Sequence, residues 1–136
     1  MVLVHGLGGT SQSLICMEST MKYLYPDILI LSSKANEMED SNPSEMGHKL
    51  AFEVIKFIET AQYEDFELSF IGHSLGGLLI RTALPHLERY KHFMKHCITM
   101  GCPHLGYDYH NSKLTKIGMW AIHKMYNSEV MKHLLM

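Results

Sequence analysis

Phe70-Ile71-Gly72-His73-Ser74-Leu75-Gly76-Gly77 is the stretch that most narrows the folds open to this chain. An apolar run precedes it, and an apolar run with helical spacing follows it. Gly-x-Ser-x-Gly between a strand and a helix requires a sharp reversal, in strained backbone angles, that lifts the serine hydroxyl clear of the sheet edge. Side chains at Gly72 and Gly76 would collide with the neighbouring strand and helix, so glycine is expected at both, with His73 completing the turn. The first turn of the helix adds the positive end of its dipole beside the serine. A glycine-rich turn with an incidental serine is the plain alternative, since five-residue patterns arise by chance. The flanking strand and helix favour the other reading, in which Ser74 is a catalytic nucleophile.

The rest of the chain repeats this alternation. Residues 2–5 are a short apolar run closed by Gly6, which reads as a buried strand. Ser11 or Ser13 can cap a helix whose Leu14, Met17, Met21 and Leu24 share one face, with Pro26 beyond its end. Residues 28–31 form the second expected strand, and 32–42 are polar and read as loop. Asn42-Pro43-Ser44-Glu45 is a helix start, with Asn at the cap, Pro at the first helical position and Glu at the third. Met46, Leu50, Val54 and Phe57 continue that helix as one apolar face. Residues 67–71 are the third strand, a helix runs from Leu75 to about Leu84 and stops or kinks at Pro85, and residues 93–100 are the fourth strand. Helical spacing returns over 112–135, with Leu114, Ile117, Ala121 and Met125 on one side. Strands separated by helices imply an α/β fold, a parallel sheet of about four strands with right-handed crossovers. At 136 residues the chain holds one domain.

A second glycine-rich loop, His5-Gly6-Leu7-Gly8-Gly9, directly follows the first strand. In a serine hydrolase of this layout that loop supplies one backbone N–H to a developing oxyanion, and the residue after the nucleophile supplies the other. The two donors here are Leu7 and Leu75. A phosphate-binding loop is the alternative. It lacks the third glycine of the dinucleotide fingerprint, the Gly-Lys-Ser/Thr of a phosphate loop, and an acidic residue at the end of the second strand, where Leu31-Ser32-Ser33 stands.

These residues, with Ala35-Asn36-Glu37, Glu45-Met46-Gly47, Pro103-His104-Leu105-Gly106 and Gly118-Met119-Trp120, resemble the lipase-like serine esterases of eukaryotes within the α/β-hydrolase superfamily. The resemblance is greatest to the esterase domain at the C-terminal end of some large eukaryotic proteins, and it runs along nearly the whole chain. It implies a carboxylic-ester hydrolase acting through Ser74, with an acyl ester or lipid as substrate, no cofactor, and an oxyanion loop after His5-Gly6. It also implies the spatial order second, first, third, fourth strand, and that the acid and the histidine lie after later strands. On that reading residues 1–136 are the nucleophile-bearing N-terminal part of a single α/β-hydrolase domain, a truncated form nearly inactive alone. A non-catalytic hydrolase-fold module that acts through binding is the alternative.

The triad order Ser, acid, His leaves Asp108 as the sole Asp after Ser74, with His123 or His133 after it. Both histidines fall in helical patterns, whereas the catalytic His belongs on a loop after a late strand. Asp108 is therefore a weak candidate acid. His92, His96, Cys97, Cys102 and His104 include zinc-type ligand residues, but their spacing matches no paired ligand unit, and no metal is expected. Cys97 reads as a buried thiol, and His104 as shaping the loop above the sheet near Ser74. The eleven Met read as core filler, and Trp120 as core rather than as part of an apolar lid. A net charge of -2, with only two Arg among twelve basic residues, offers no concentrated basic face for nucleic acid. Three cysteines are no disulfide framework and point to a reducing compartment such as the cytoplasm. No segment has the apolar length of a membrane span, and no signal peptide is read at the N-terminus. A sheet ending at the fourth strand would leave an open edge for self-association.

Overall fold

The structure, a computed structural model, describes residues 1–39 and 41–105. Four strands make one parallel sheet in the order expected: β2 (Leu31–Ser32), β1 (Val2–Val4), β3 (Leu68–His73), β4 (Met94–Met100). Val2, Leu3 and Val4 lie opposite Phe70, Ile71 and Gly72, and β4 continues the sheet with Thr99 opposite Gly72 and Met100 opposite His73. Both faces of β1 are covered, and its three residues are buried.

The second strand starts later and is shorter than the apolar run 28–31 suggests. The Ile28 N–H is spent in a turn, bonded to the Tyr25 carbonyl at 3.0 Å, so the chain straightens only afterwards. Pairing begins where the Leu31 N–H meets the Met1 carbonyl and ends where the Ser33 N–H meets that of Leu3, both at 2.9 Å.

The first helical segment opens as a 3₁₀ turn over Ser11–Leu14 before α1 (Ile15–Leu24). The Ser13 hydroxyl accepts from the Thr10 N–H at 3.0 Å, so Thr10 holds the cap position rather than Ser11 or Ser13. The apolar face expected on this helix is covered only in part: α1 has no buried residue, and Leu24 is exposed.

The core is built elsewhere, between the sheet and two helices. On α2 (Pro43–Ala61) the buried residues are Met46, Gly47, Leu50, Ala51, Val54 and Ile58, a stripe at three- and four-residue spacing. The Asn42 carboxamide caps this helix, accepting from the Ser44 N–H at 2.8 Å, and Pro43 occupies the first turn. Leu79, Ile80 and Ala83 of α3 (Leu75–Ala83) meet that stripe. Gly47 lets the helices approach: a Cβ there would overlap the Thr82 side chain. At Pro85 the chain does not stop but tightens into a 3₁₀ segment, Leu84–Phe93, which leads to β4 and buries Leu87.

One expectation is corrected, and others fall outside the described residues. Cys97 is exposed rather than buried, because β4 is the last strand of the sheet and no described element covers it. Asp108, Trp120, His123, His133 and the helical pattern over 112–135 lie outside the described residues.

Candidate nucleophile site

Ser74 occupies the junction of β3 and α3, at φ 53° and ψ -122°. A side chain in that region of backbone space costs of order 1–3 kcal/mol and persists only where the surroundings enforce it. Here they do. The Ser74 N–H is held by the Met100 carbonyl of β4 at 2.8 Å, and the Ser74 carbonyl accepts from the Gly77 N–H at 3.2 Å.

Three glycines make room for the reversal. A Cβ on Gly72 would stand 2.6 Å from the Gly77 nitrogen, and one on Gly76 would stand 2.6 Å from the His5 carbonyl oxygen at the end of β1. A Cβ on Gly77 would stand 2.7 Å from the Cys102 sulfur. Each obstacle at Gly72 and Gly76 is backbone, which has no freedom to move aside. The chain can therefore pass from strand to helix here only without side chains at those positions. His73 is exposed and Ser74 half-buried, so the hydroxyl-bearing residue sits at the surface of an otherwise buried turn.

The loop after β1 lies against this turn. A Cβ on Gly6 would meet the Ser74 Cβ at 3.0 Å. The loop closes as a tight turn, with the Gly9 N–H on the Gly6 carbonyl at 3.0 Å and Gly8 at φ 65°. His5 is buried, and its Nδ1–H donates to the same carbonyl at 2.9 Å. The Leu7 N–H enters no backbone hydrogen bond among the described residues. Leu75, the first residue of α3, belongs to the turn whose N–H groups lack partners within the helix.

The segment that contains Ala35-Asn36-Glu37 braces this loop. The Glu37 carboxylate accepts from the Ser11 N–H at 2.7 Å, and the Met38 N–H reaches the Gly9 carbonyl at 3.4 Å. Hydrogen bonds from Ser11 hold the Glu37 carboxyl below the usual carboxylate range. Glu53 of α2 fixes the start of the same segment, accepting from the Ser33 hydroxyl at 2.6 Å and the Lys34 N–H at 2.9 Å. Buried Asn36 donates to the Met46 carbonyl at 3.0 Å, and its Oδ1 has no partner among the described residues. The resemblance marks Asn36 and Glu37 but not their bracing role, and nothing in the spacing of Glu53 along α2 marks it out.

On the other flank, Gly101 turns the chain at φ 60°, and Cys102 packs on α3 at Gly77. Burial pushes the Cys102 thiol up, against the opposing charge of Arg81. His104 Nε2 meets the Thr99 hydroxyl at 2.9 Å, and Arg81 reaches both Nδ1 and the carbonyl oxygen of His104. The other described histidines and acids after Ser74 are engaged elsewhere or exposed: His86 stacks on His48 with centroids 4.6 Å apart, and Glu88 pairs with Lys91. His92, His96, Cys97, Cys102 and His104 do not converge, and among the described residues no three His, Cys, Asp or Glu are grouped to hold a metal ion. None of the described helices is long and apolar enough to cross a membrane.

A cavity of about 410 Å³ sits at the opposite end of the sheet, against Met1, Phe57 and Leu68. Leu7 follows Gly6, which packs on Ser74, and its side chain is 39% exposed.

The fold is shared with known hydrolases. The lipase BlEst2 of Bacillus licheniformis in its mature form superposes with a TM-score of 0.58 at 23% identity, covering 85% of this chain and 48% of that one. Its propeptide form gives 0.58 at 23% identity, over 87% and 27%. An extracellular α/β-hydrolase from a Paenibacillus species gives 0.54 at 20% identity, over 74% and 39%. The chain thus spans about half or less of the length of these structures. The model of one family matches residues 1–136 throughout, and this chain belongs to that family, described as "Putative serine esterase (DUF676)".

Proposed function

We propose that the chain carries the nucleophile of a carboxylic-ester hydrolase that works by acyl transfer through Ser74. The observation that carries this reading is the Ser74 backbone, at φ 53° and ψ -122° between a strand and a helix, walled by glycines that backbone groups require. A fold spends that strain where it presents a reactive side chain. The hydroxyl oxygen attacks the ester carbonyl, and the carbonyl oxygen takes up the charge. The backbone N–H groups of Leu7 and Leu75 are the oxyanion donors of this proposal. The packing of Gly6 on Ser74 and the unspent Leu7 N–H support the assignment.

The exposed Leu7 side chain, next to the Gly6 that packs on Ser74, suits the apolar acyl part of an ester or lipid. A lipase among the similar structures agrees with that substrate class. The proton of Ser74 needs a base, and the described residues supply none in a triad arrangement. Without one the hydroxyl stays protonated and is a poor nucleophile. The acid and histidine of this proposal therefore come from outside residues 1–105; with Asp108 a weak candidate acid and His123 and His133 in helical patterns, residues 1–136 alone are expected to turn over ester slowly.

A fluorophosphonate probe tests the nucleophile. The expected result is slow adduct formation on Ser74, located by mass spectrometry and abolished by Ser74→Ala. Absence of any adduct would favour a non-catalytic module that acts through binding. Turnover of p-nitrophenyl acetate by residues 1–136 is expected to stay within the residual range of an oxyanion site alone, on the order of 10³–10⁴ over water at most. Rapid turnover lost on Asp108→Asn would instead make Asp108 the triad acid.

A further inference from the structure

Arg81 stands one helical turn after Gly77 on α3, so both point toward the segment that follows β4. One guanidinium nitrogen, Nη1, makes two contacts there, 3.1 Å to the His104 carbonyl oxygen and 3.3 Å to His104 Nδ1. A guanidinium only donates, and Nη1 carries two hydrogens, one for each acceptor. His104 Nδ1 must therefore be unprotonated. The neutral ring then carries its proton on Nε2, where it donates to the Thr99 hydroxyl at 2.9 Å. The Cys102 thiol, 3.6 Å from Nδ1, faces the same lone pair as a second, weaker donor. The His104 N–H closes the turn on the Cys102 carbonyl at 3.0 Å.

These bonds form a continuous path to the nucleophile. Thr99 is paired with Gly72 and Met100 with His73, and the Met100 carbonyl holds the Ser74 N–H at 2.8 Å. The end of β4 thus fixes the strained residue, and the segment that would pull on that end is fastened to α3 by Arg81 through His104. Arg81 and His104 are both exposed, so no burial of either side chain explains the arrangement. A lysine nitrogen could also donate to both acceptors, but on a flexible stem it would hold them less firmly than the rigid guanidinium.

We propose that Arg81 is a positioning residue for Ser74: it latches the segment 101–105 to α3 by holding His104 in the Nε2–H tautomer, and so keeps the end of β4 on the Ser74 backbone. The latch stands on the hydrogen bonds alone, whereas its bearing on reactivity rests on the reading of Ser74 as a nucleophile.

Two measurements on residues 1–136 decide it. In the chain labelled with ¹⁵N-histidine at pH 8, His104 is expected to show the Nε2–H tautomer alone. Arg81→Gln should leave a mixture of both tautomers, and Arg81→Lys a partial one. Phosphonylation of Ser74 by the fluorophosphonate probe should slow about tenfold in Arg81→Gln, since small misplacements of a reacting group cost rate steeply. Free guanidinium should restore both signals in Arg81→Ala, which a general loss of stability would not allow. An unchanged His104 tautomer in Arg81→Gln would overturn the latch. A changed tautomer with an unchanged rate would overturn the positioning role. If the unsubstituted chain forms no adduct, the nucleophile reading and the positioning role fail together, and the tautomer still decides the latch.

Discussion

Ser74 shows how one residue can be conspicuous in a sequence for a reason visible only in its backbone. Its positive φ is enforced from outside by the Met100 carbonyl and from inside by contacts that leave Gly72 and Gly76 no room for a Cβ. Strain of this kind is removable without touching the surroundings. Glycine adopts φ near +53° freely, at the cost of greater freedom in the unfolded chain. Ser74→Gly is accordingly expected to raise stability by about 1 kcal/mol net, the strain relieved less the entropy cost of glycine. Urea unfolding of the two chains measures it. A lower stability for Ser74→Gly would mean that the conformation is not strained in context. Gly72 and Gly76 were legible as required glycines because their motif implies close approach. Arg81, Glu37 and Glu53 were not, because a charged residue in a sequence carries no sign of the partner it will meet.

Elements, rather than residues, explain why the loop after β1 keeps its place. Gly8 and Gly9 have no side chain to pack and Leu7 is exposed, so the loop borrows rigidity from the segment after β2, chiefly through Glu37 and Ser11. The Glu37 carboxyl is held below its ordinary range by the hydrogen bonds from Ser11. A carboxyl whose folded pKa is depressed contributes stability that is fully present above its unfolded pKa. That contribution is lost as pH falls through the folded value. Glu37→Gln should therefore lower the urea midpoint at neutral pH, and the two chains should converge as pH drops below the ordinary carboxylate range. A difference that stays constant with pH would show that the charge of Glu37 plays no part. At this scale the helix start at Asn42-Pro43 was readable from local chemistry, as was the face of α2. The late start of β2 was not, because it depends on a turn that consumes the Ile28 N–H.

At the scale of the whole molecule, the sheet is finished on neither hydrophobic nor hydrogen-bonding grounds at β4. Among the described residues β4 pairs on one side only, and Lys95, His96, Cys97 and Ile98 are exposed, Ile98 by 51%. An open parallel edge presents unpaired N–H and C=O groups to any other edge. Residues 1–136 are expected to associate with rising concentration in sedimentation velocity runs across the micromolar range, and Ile98→Lys to reduce the effect. A chain that remains monomeric throughout would show that this edge is closed. Cys97 belongs to the same edge, and its exposure is the clearest case in which a residue typical of cores lies outside one. Its residue type spoke for burial, and only its place in the sheet spoke against. The alternation of apolar strands and helices, the capped start of α2 and the strand–Gly-x-Ser-x-Gly–helix order at Ser74 were determined by the sequence itself, because periodicity, capping and turn chemistry act between near neighbours. Which faces stay uncovered, which carboxylate braces the Gly6–Gly9 loop, and the joining of Arg81 to His104 were decided by tertiary structure alone. Those contacts join residues 20 or more positions apart, and the path between them exists only once the sheet has formed.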